Sequence, residues 1–222
     1  TITNTLAQAR TLWDVLAGPP ADSTAIILPE TGTRVTYGQL RAQIQEMADT
    51  LAALGIRPGD RVATSLPNGL PAIVSFVAAS MAGTAAPLNP GYRQEEVSFY
   101  LEDTSAKLLL VPTEGMDEAR AAAKERNVPV YELALDESGY VRIAGASAGN
   151  AKAAAPDPEA VALVLHTSGS TGRPKRVPIK HRNLAASTRN IAATYDLSTQ
   201  DVALCVMPLF HVHGLVASTI ST

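Results

Sequence analysis

Apolar residues along the chain alternate between helical spacing and short continuous runs. Thr36 and Gln39 form a capping-box pattern, and apolar residues then recur at every third or fourth position over residues 40–54. This pattern predicts an amphipathic helix that ends before Gly55. Further helices are predicted at residues 6–16, 68–83, 94–101, 114–126 and 183–195. In the second of these, Asn68 is the predicted N-cap residue.

Short apolar runs between the helices predict strands. The predicted strands are residues 25–28, 61–66, 84–88, 107–111, 128–131, 160–165, 177–179 and 202–207. Because a helix separates most consecutive strands, neighbouring strands are expected to run parallel. The sequence therefore predicts an α/β fold in which a mostly parallel β-sheet is flanked by helices.

One segment interrupts the alternation. Residues 144–158 (AGASAGNAKAAAPDP) are mostly small and include two prolines, which predicts a mobile loop and a subdomain boundary. The predicted organisation is a first α/β subdomain at residues 1–143, the loop at residues 144–158, and the start of a second α/β subdomain at residues 159–222.

The composition fits a folded protein and excludes several classes. Hydrophobic residues make up 46% of the 222 positions and charged residues 18%, which lies outside the range of disordered chains. The formal net charge of −3 provides no basic field for nucleic-acid binding, so no nucleic-acid partner is expected. The chain has no signal-peptide pattern and no run of about 18 uncharged apolar residues, so no membrane span is expected.

The single cysteine, Cys205, cannot form a disulfide within the chain. It lies in an apolar run, where it is expected to fill a small space in the core. A reducing, cytoplasmic location is therefore expected.

The candidate chemistry is concentrated in residues 166–175 (HTSGSTGRPK), between two predicted strands. Gly169 and Gly172 allow main-chain N–H groups to approach an anion, four hydroxyl side chains add donors, and Arg173 and Lys175 add positive charge. Phosphate is the ligand that this composition favours. The segment does not match the nucleotide P-loop, the dinucleotide-binding pattern or the nucleophile elbow. On composition alone, an ordinary turn between two strands is an equal alternative.

The whole string TSGSTGRPKRV resembles the phosphate-binding loop of the AMP-forming acyl-CoA synthetase family, the acyl-adenylate-forming enzymes. Three further segments are similar to motifs of that family and occur in the same order: VTYGQL at residues 35–40, AGTAAPLNP at residues 82–90 and PLFHVHG at residues 208–214. The resemblance covers essentially all 222 residues but only the N-terminal portion of a family member. It therefore implies that the C-terminal parts of the parent protein are absent.

The resemblance implies a ligase that joins a carboxylic acid to a thiol in two steps. The acid reacts with ATP to give an acyl-adenylate and pyrophosphate, and the thiol of coenzyme A then displaces AMP. The implied cofactors are ATP and Mg²⁺, with coenzyme A as co-substrate. The residues implied to hold the triphosphate and pyrophosphate are Thr167, Ser168, Gly169, Ser170, Thr171, Gly172 and Lys175.

Lys175 and His211 are the implied catalytic residues, because Lys175 would follow the leaving phosphate and His211 would line the junction of acid, α-phosphate and thiol. His211 and His213 are the implied substrate-pocket residues, with a packed core position as the open alternative for His213. Two positions apart, they would share one face of a strand. His166 and His181 are expected to be structural. No acidic or cysteine cluster lies near the histidines, so no dedicated metal site is expected.

Two residues depart from the family pattern. Ser170 stands where threonine is frequent and keeps the hydroxyl group. Arg176 stands where glycine is most common, and its side chain is expected to point to solvent from the start of a strand. An addition to the phosphate field is the alternative for Arg176.

The loop and the string VMPLFHVHGL are most similar to the oxalate and small-acid CoA ligase subgroup, which implies a compact dianionic acid facing His213. Two alternatives stay open: a fatty-acyl or aromatic-acid CoA ligase, and a non-catalytic nucleotide- or phosphate-binding module. The family's adenine, ribose and Mg²⁺ ligands lie downstream of these residues. The chain alone is therefore expected to be inactive.

Overall fold

A computed structural model describes residues 6–167 and 174–222. Most predicted helices and strands are present, with ends shifted by a few residues, and two short strands, β2 and β7, were not predicted. The helices are α1 (Leu12–Ala17), α2 (Tyr37–Ala53), α3 (Leu70–Ala82), α4 (Gln94–Thr104), α5 (Asp117–Glu125), α6 (His181–Thr194) and a π-helix (His213–Ile220). The strands are β1 (Thr24–Ile27), β2 (Arg34–Thr36), β3 (Arg61–Ser65), β4 (Thr84–Leu88), β5 (Leu108–Pro112), β6 (Val130–Leu135), β7 (Val141–Ile143), β8 (Val161–Thr167) and β9 (Lys175–Lys180).

Seven strands form one sheet in the order β7-β6-β5-β3-β4-β8-β9. Strands β6, β5, β3, β4 and β8 pair in parallel, and β7 and β9 add antiparallel edges. Strands β1 and β2 form a separate antiparallel pair. The prediction of an α/β fold with a mostly parallel sheet is therefore confirmed.

Helix α3 lies at the centre of the core. Twelve of its thirteen residues are buried, and its sequence LPAIVSFVAASMA contains no charge. A helix that is apolar on every side is stable only when it is covered on every side. The helix ends at Gly83, where a Cβ atom would lie 2.4 Å from the Asp60 carbonyl oxygen, so only glycine fits between α3 and the start of β4.

The two predicted helix starts have different outcomes. At α2 the capping box is confirmed, because the Gln39 N–H donates to Thr36 Oγ1 at 3.2 Å and the Thr36 N–H donates to Gln39 Oε1 at 2.9 Å. At α3 the predicted cap is wrong, because Gly69 occupies the N-cap position. The Asn68 side chain instead bonds to main-chain groups of a distant segment, Met207 and Leu209.

Residues 144–158 contain no helix or strand, in agreement with the sequence. Part of this loop is tied to α2 by Asp49, whose side chain is only 3% exposed. Its carboxylate accepts hydrogen bonds from Lys152 Nζ at 2.8 Å, the Ala153 N–H at 2.9 Å and Gln45 Nε2 at 2.9 Å. Strands from both sides of the loop lie in the same sheet. The division into two subdomains and the mobility of the loop stay predictions.

The predicted strand at residues 202–207 is wrong. Val202, Leu204 and Val206 are 82%, 78% and 69% exposed, and the segment has no regular structure. An alternating apolar run becomes a strand only when a neighbouring strand takes its hydrogen bonds, and no such partner lies beside it within the described residues. Cys205 is half-buried at the edge of the core, with Sγ 3.6 Å from Thr219 Oγ1, and so does not fill an interior space.

His181 is a buried structural residue, as expected. Its Nε2–H donates to the Ser80 carbonyl at 2.8 Å, and its Nδ1 accepts from the Leu12 N–H at 3.4 Å. Burial lowers the pKa of His181, which favours the neutral ring that this pair of bonds requires. His181 thereby joins α1, α3 and α6. None of the helices in residues 6–167 and 174–222 has the length and hydropathy needed to cross a membrane.

Asp49→Asn is expected to lower the free energy of unfolding by about 1–3 kcal/mol at neutral pH, because it weakens a buried set of charge-assisted hydrogen bonds. Burial alone would raise the pKa of Asp49, but the bonds from Lys152, Ala153 and Gln45 outweigh it and hold the pKa below 3.8. The contribution is therefore present above about pH 4 and lost as pH falls through the folded-state pKa.

Urea unfolding at a series of pH values measures this effect. The difference between wild type and Asp49→Asn should shrink on acidification. Lys152→Ala is the matched control and should cost less than Asp49→Asn, because the lysine side chain is 77% exposed. A difference that stays constant from neutral to acid pH would contradict the assignment.

Candidate functional site

A small cavity, open to solvent, lies where strands β4 and β8 end. Its lining residues are Pro87, Leu88, Asn89, Tyr92, Tyr100, Leu165, His166, Phe210 and His211. In open α/β sheets, ligands bind outside the carboxyl ends of parallel strands. The cavity is therefore where this fold class places a ligand.

His166 forms one wall of the cavity. Its side chain is 8% exposed, and its Nε2–H donates to Asp103 Oδ2 at 2.8 Å. Its ring packs on Tyr100, with 4.6 Å between the ring centroids. The sequence predicted a structural role for His166, and these contacts agree with it, but the ring also lines the cavity. Its position directly before Thr167 is the sequence signal that could have found it.

Two tyrosines add hydroxyl groups to the same wall. The rings of Tyr92 and Tyr100 stack with 5.1 Å between their centroids. Burial, and then the hydrogen bond with Tyr92, raise the pKa of Tyr100, so its hydroxyl is protonated at neutral pH. Sequence reasoning did not single out either tyrosine. Both lie outside the recognised motifs, and only the tertiary fold brings them to the ends of β4 and β8.

The segment that carries His211 is held at the cavity by the Asn68 clamp, the two hydrogen bonds between the Asn68 side chain and the main chain of Met207 and Leu209. The Asn68 side chain donates from Nδ2 to the Met207 carbonyl at 2.9 Å and accepts at Oδ1 from the Leu209 N–H at 2.9 Å. A side-chain amide that satisfies both a donor and an acceptor of one backbone segment fixes that segment in position. Asn68 thus holds the chain that carries Phe210 and His211.

A glycine sharpens the turn that follows His211. A Cβ atom on Gly214 would lie 2.2 Å from the Pro208 carbonyl oxygen, so the chain can fold back only if this residue is glycine. His213 begins the π-helix, and His211 lies just before it, so the expected shared strand face is wrong. Both histidines are exposed, and only His211 is among the described residues that line the cavity. His213 is therefore not a packed core residue.

The structure describes the two strand ends that flank the predicted phosphate loop. Thr167 and Lys175 are the last paired residues of the β8–β9 hairpin, and both are exposed. The neighbouring pair is His166 and Arg176. Because His166 lines the cavity, the loop end of the hairpin lies next to the cavity wall. The other predicted phosphate ligands, Ser168, Gly169, Ser170, Thr171 and Gly172, lie outside the described residues, as does Arg173.

Arg176 does not simply point to solvent. Its Nη1 donates to the main-chain carbonyl of Asp103 at 2.6 Å, near the C-terminal end of α4. The expectation from strand alternation is therefore corrected. The reason is long-range: the end of α4 offers a carbonyl group that no residue inside the helix can satisfy.

The site offers donors for an anion. An imidazole at His211, the hydroxyls of the tyrosine pair and the Lys175 ammonium group lie on the elements that surround the hairpin end. Among the described residues, no group of three or more His, Cys, Asp or Glu side chains could hold a metal ion. The arrangement can therefore bind and orient a negatively charged ligand.

Curated relatives extend these observations. The chain is 38% identical to an oxalate–CoA ligase of Saccharomyces cerevisiae, matching 91% of this chain and 43% of that protein. It is 40% identical to an oxalate–CoA ligase of Arabidopsis thaliana, over 85% of this chain and 38% of that protein. It is 32% identical to the long-chain-fatty-acid–CoA ligase FadD13 of Mycobacterium tuberculosis, over 86% and 38%. The chain thus spans about two fifths of the length of these relatives.

Solved structures show the same fold. Apo and ATP-bound MatB from Rhodopseudomonas palustris superpose with TM-scores of 0.81 and 0.79 at 27% identity, over 96% of this chain and 43% of theirs. The o-succinylbenzoate–CoA synthetase MenE of Bacillus subtilis, in complex with AMP, superposes with a TM-score of 0.73 at 26% identity, over 95% of this chain and 52% of that one.

The sequence profile of the AMP-binding enzyme family matches residues 12–222. This match covers nearly the whole chain, and it agrees with the named CoA ligases among the relatives and with the folds of the solved structures. The resemblance found in the sequence is therefore confirmed, and the chain belongs to the AMP-binding enzyme family.

Proposed function

We propose that residues 1–222 form the N-terminal portion of an ATP-dependent, AMP-forming carboxylic acid–CoA ligase. Two elements meet at one cavity, and this observation carries the proposal. They are the loop end of the β8–β9 hairpin and the segment that presents His211. Structures of similar proteins with ATP and with AMP support a nucleotide as the ligand. The exposed apolar side chains of Val202, Leu204 and Val206 support a larger protein in which they are covered.

In the proposed reaction the acid carboxylate attacks the α-phosphorus of ATP, and pyrophosphate leaves. Negative charge that develops on the phosphates must be met by donors that are already in place. Thr167 and Lys175 supply a hydroxyl and a mobile ammonium group at the hairpin end, and the predicted ligands between Ser168 and Gly172 would complete the set. The thiol of coenzyme A then attacks the acyl carbon, and AMP leaves.

His211 is the proposed residue at the junction of the three reactants. Its side chain lines the cavity, and Asn68 holds its segment by two hydrogen bonds. An imidazole held at this point can orient the acid carboxylate by a hydrogen bond. Mg²⁺ would supply further charge neutralisation. Among the described residues, no group of three or more His, Cys, Asp or Glu side chains could hold it.

The proposed substrate is a small acid such as oxalate. The two oxalate–CoA ligases are 38% and 40% identical to this chain, whereas the fatty-acid ligase FadD13 is 32% identical. A dianionic acid needs a partner for the carboxylate that does not react, because an unpaired buried charge is strongly unfavourable. His213, two residues beyond His211, is the proposed partner. A fatty-acyl or aromatic-acid ligase is the competing assignment.

Lys175→Ala in the full-length ligase is expected to reduce ATP–pyrophosphate exchange by about 10²–10³-fold, because it removes a preorganised charge from the leaving group. The fold should survive, since Lys175 is exposed at the end of an edge strand. Lys180→Ala is the matched control, because Lys180 lies on the same strand and pairs with Glu159 at 2.9 Å. Equal exchange rates in wild type and Lys175→Ala at saturating ATP and acid would refute the role of this lysine.

The acid specificity is tested by ATP-dependent AMP release with coenzyme A and a panel of acids. Oxalate is expected to give a higher kcat/KM than long-chain or aromatic acids. His213→Ala is expected to lower kcat/KM for oxalate by about tenfold, the loss of roughly one hydrogen bond to a charged group, and to leave a monocarboxylate of similar size unaffected. A preference for long-chain or aromatic acids, or a kcat/KM for oxalate that is unchanged in His213→Ala, contradicts this assignment. Nucleotide binding without exchange for any acid would favour a non-catalytic binding module.

A further inference from the structure

Asp103 joins three elements near the candidate site. It lies in the last turn of α4, where its side chain accepts from His166 on β8 and its main-chain carbonyl accepts from Arg176 on β9. His166 and Arg176 are paired with each other across the hairpin. A single residue of α4 therefore contacts both strands of the hairpin at the same level.

The contact with Arg176 has a favourable electrostatic setting. The carbonyl groups at the end of a helix carry partial negative charge and have no partner within the helix. The Arg176 guanidinium group donates to one of them at 2.6 Å. A second arginine, Arg61, donates to the carbonyls of Thr104 and Ser105 at the same helix end. The carbonyl groups at the end of α4 thus accept hydrogen bonds from two arginine side chains, one of which lies on the hairpin.

The contact with His166 is the more buried of the two. The His166 side chain is 8% exposed and the Asp103 side chain is 35% exposed. The ring is also held by Tyr100, which lies one helical turn before Asp103 on the same helix. Two groups of α4 therefore fix the ring of His166, and a hydrogen bond to a carboxylate is stronger than one between neutral groups.

These contacts act one residue away from the predicted phosphate ligands. Thr167 follows His166, Lys175 precedes Arg176, and the two form the last pair of the hairpin. The backbone positions of Thr167 and Lys175 are thus set by whatever fixes the pair behind them. A misplacement of about 1 Å at a reacting group is enough to cost on the order of a hundredfold in rate, so such support has chemical value.

We propose that Asp103, through His166 and Arg176, is a positioning residue. It holds the loop end of the β8–β9 hairpin in the orientation needed to bind the phosphates of ATP. This proposal rests on the proposed ligase function. Asp103 touches no reactant and is not a catalytic residue. Arg176 acts from behind the hairpin end, as a brace on α4, and not as an additional phosphate ligand.

The test compares Asp103→Ala and Arg176→Ala in the full-length ligase, with ATP–pyrophosphate exchange measured against ATP concentration at saturating acid. Each variant is expected to raise KM for ATP by about threefold to tenfold, the effect of about one lost hydrogen bond, while KM for the acid changes less than twofold. Asp103→Asn should restore most of the loss caused by Asp103→Ala, because its amide oxygen still accepts from His166 Nε2–H.

The matched controls are substitutions near the same end of α4 and near the β9 edge of the sheet. Glu102→Ala removes a neighbouring acidic side chain that pairs with Arg126 at 2.8 Å, and Arg182→Ala removes an arginine beyond β9 that pairs with Glu159 at 3.0 Å. Both controls should leave KM for ATP unchanged. If Asp103→Ala and Glu102→Ala give the same KM for ATP, or if Asp103→Ala lowers only thermal stability, the proposal is overturned.

A second measurement does not depend on activity. Hydrogen–deuterium exchange of peptides that cover residues 161–167 and 175–180 should be faster in Asp103→Ala and Arg176→Ala than in wild type and in both controls. Unchanged exchange would overturn the positioning role even if activity falls. If the wild type shows no ATP–pyrophosphate exchange with any acid, the ligase function fails. Faster deuterium uptake in Asp103→Ala and Arg176→Ala would still support the role of these residues in holding the hairpin.

Discussion

The burial of helix α3 is the constraint on which the rest of the structure depends. A helix with no charged residue and no polar face has to be covered all round, and this fixes the sheet on one side and α2 on another. The same helix carries the contacts that extend outward from the core. The Ser80 carbonyl receives His181, and Thr84, just beyond the glycine that ends α3, donates from its hydroxyl to the Val161 carbonyl at 2.7 Å. The start of β8 is therefore held by the first residue of β4, which follows α3 directly.

The candidate site is built on the two ends of this arrangement. Asn68, two residues before α3 begins, holds the segment that carries His211, and β8 delivers His166 and Thr167 to the other side of the cavity. Each wall is thus tied by hydrogen bonds to a residue that flanks the buried helix, Asn68 before it and Thr84 after it.

The sequence was informative where a local pattern has one structural solution. The capping box of Thr36 and Gln39, the apolar helix before Gly83 and most of the alternation of strands and helices along the chain could be predicted from neighbouring residues. The errors concern residues whose partners are far away in the chain. Asn68 bonds to residues 139 and 141 positions later, and Asp103 bonds to His166, 63 positions later. No periodicity reports such contacts, so the sequence predicts an N-cap role for Asn68, a solvent-facing side chain for Arg176 and only a structural role for His166.

The cavity between the ends of β4 and β8 is the proposed place of the reacting groups of an acyl-adenylate. The most direct measurement is a crystal structure of the full-length ligase with a non-hydrolysable acyl-adenylate analogue that carries an oxalyl group. We expect the group replacing the α-phosphate to lie within hydrogen-bond distance of Thr167, and His211 to contact the acyl carbonyl. An analogue bound elsewhere, with His211 and the hairpin end free of contact, would contradict this placement of the reaction.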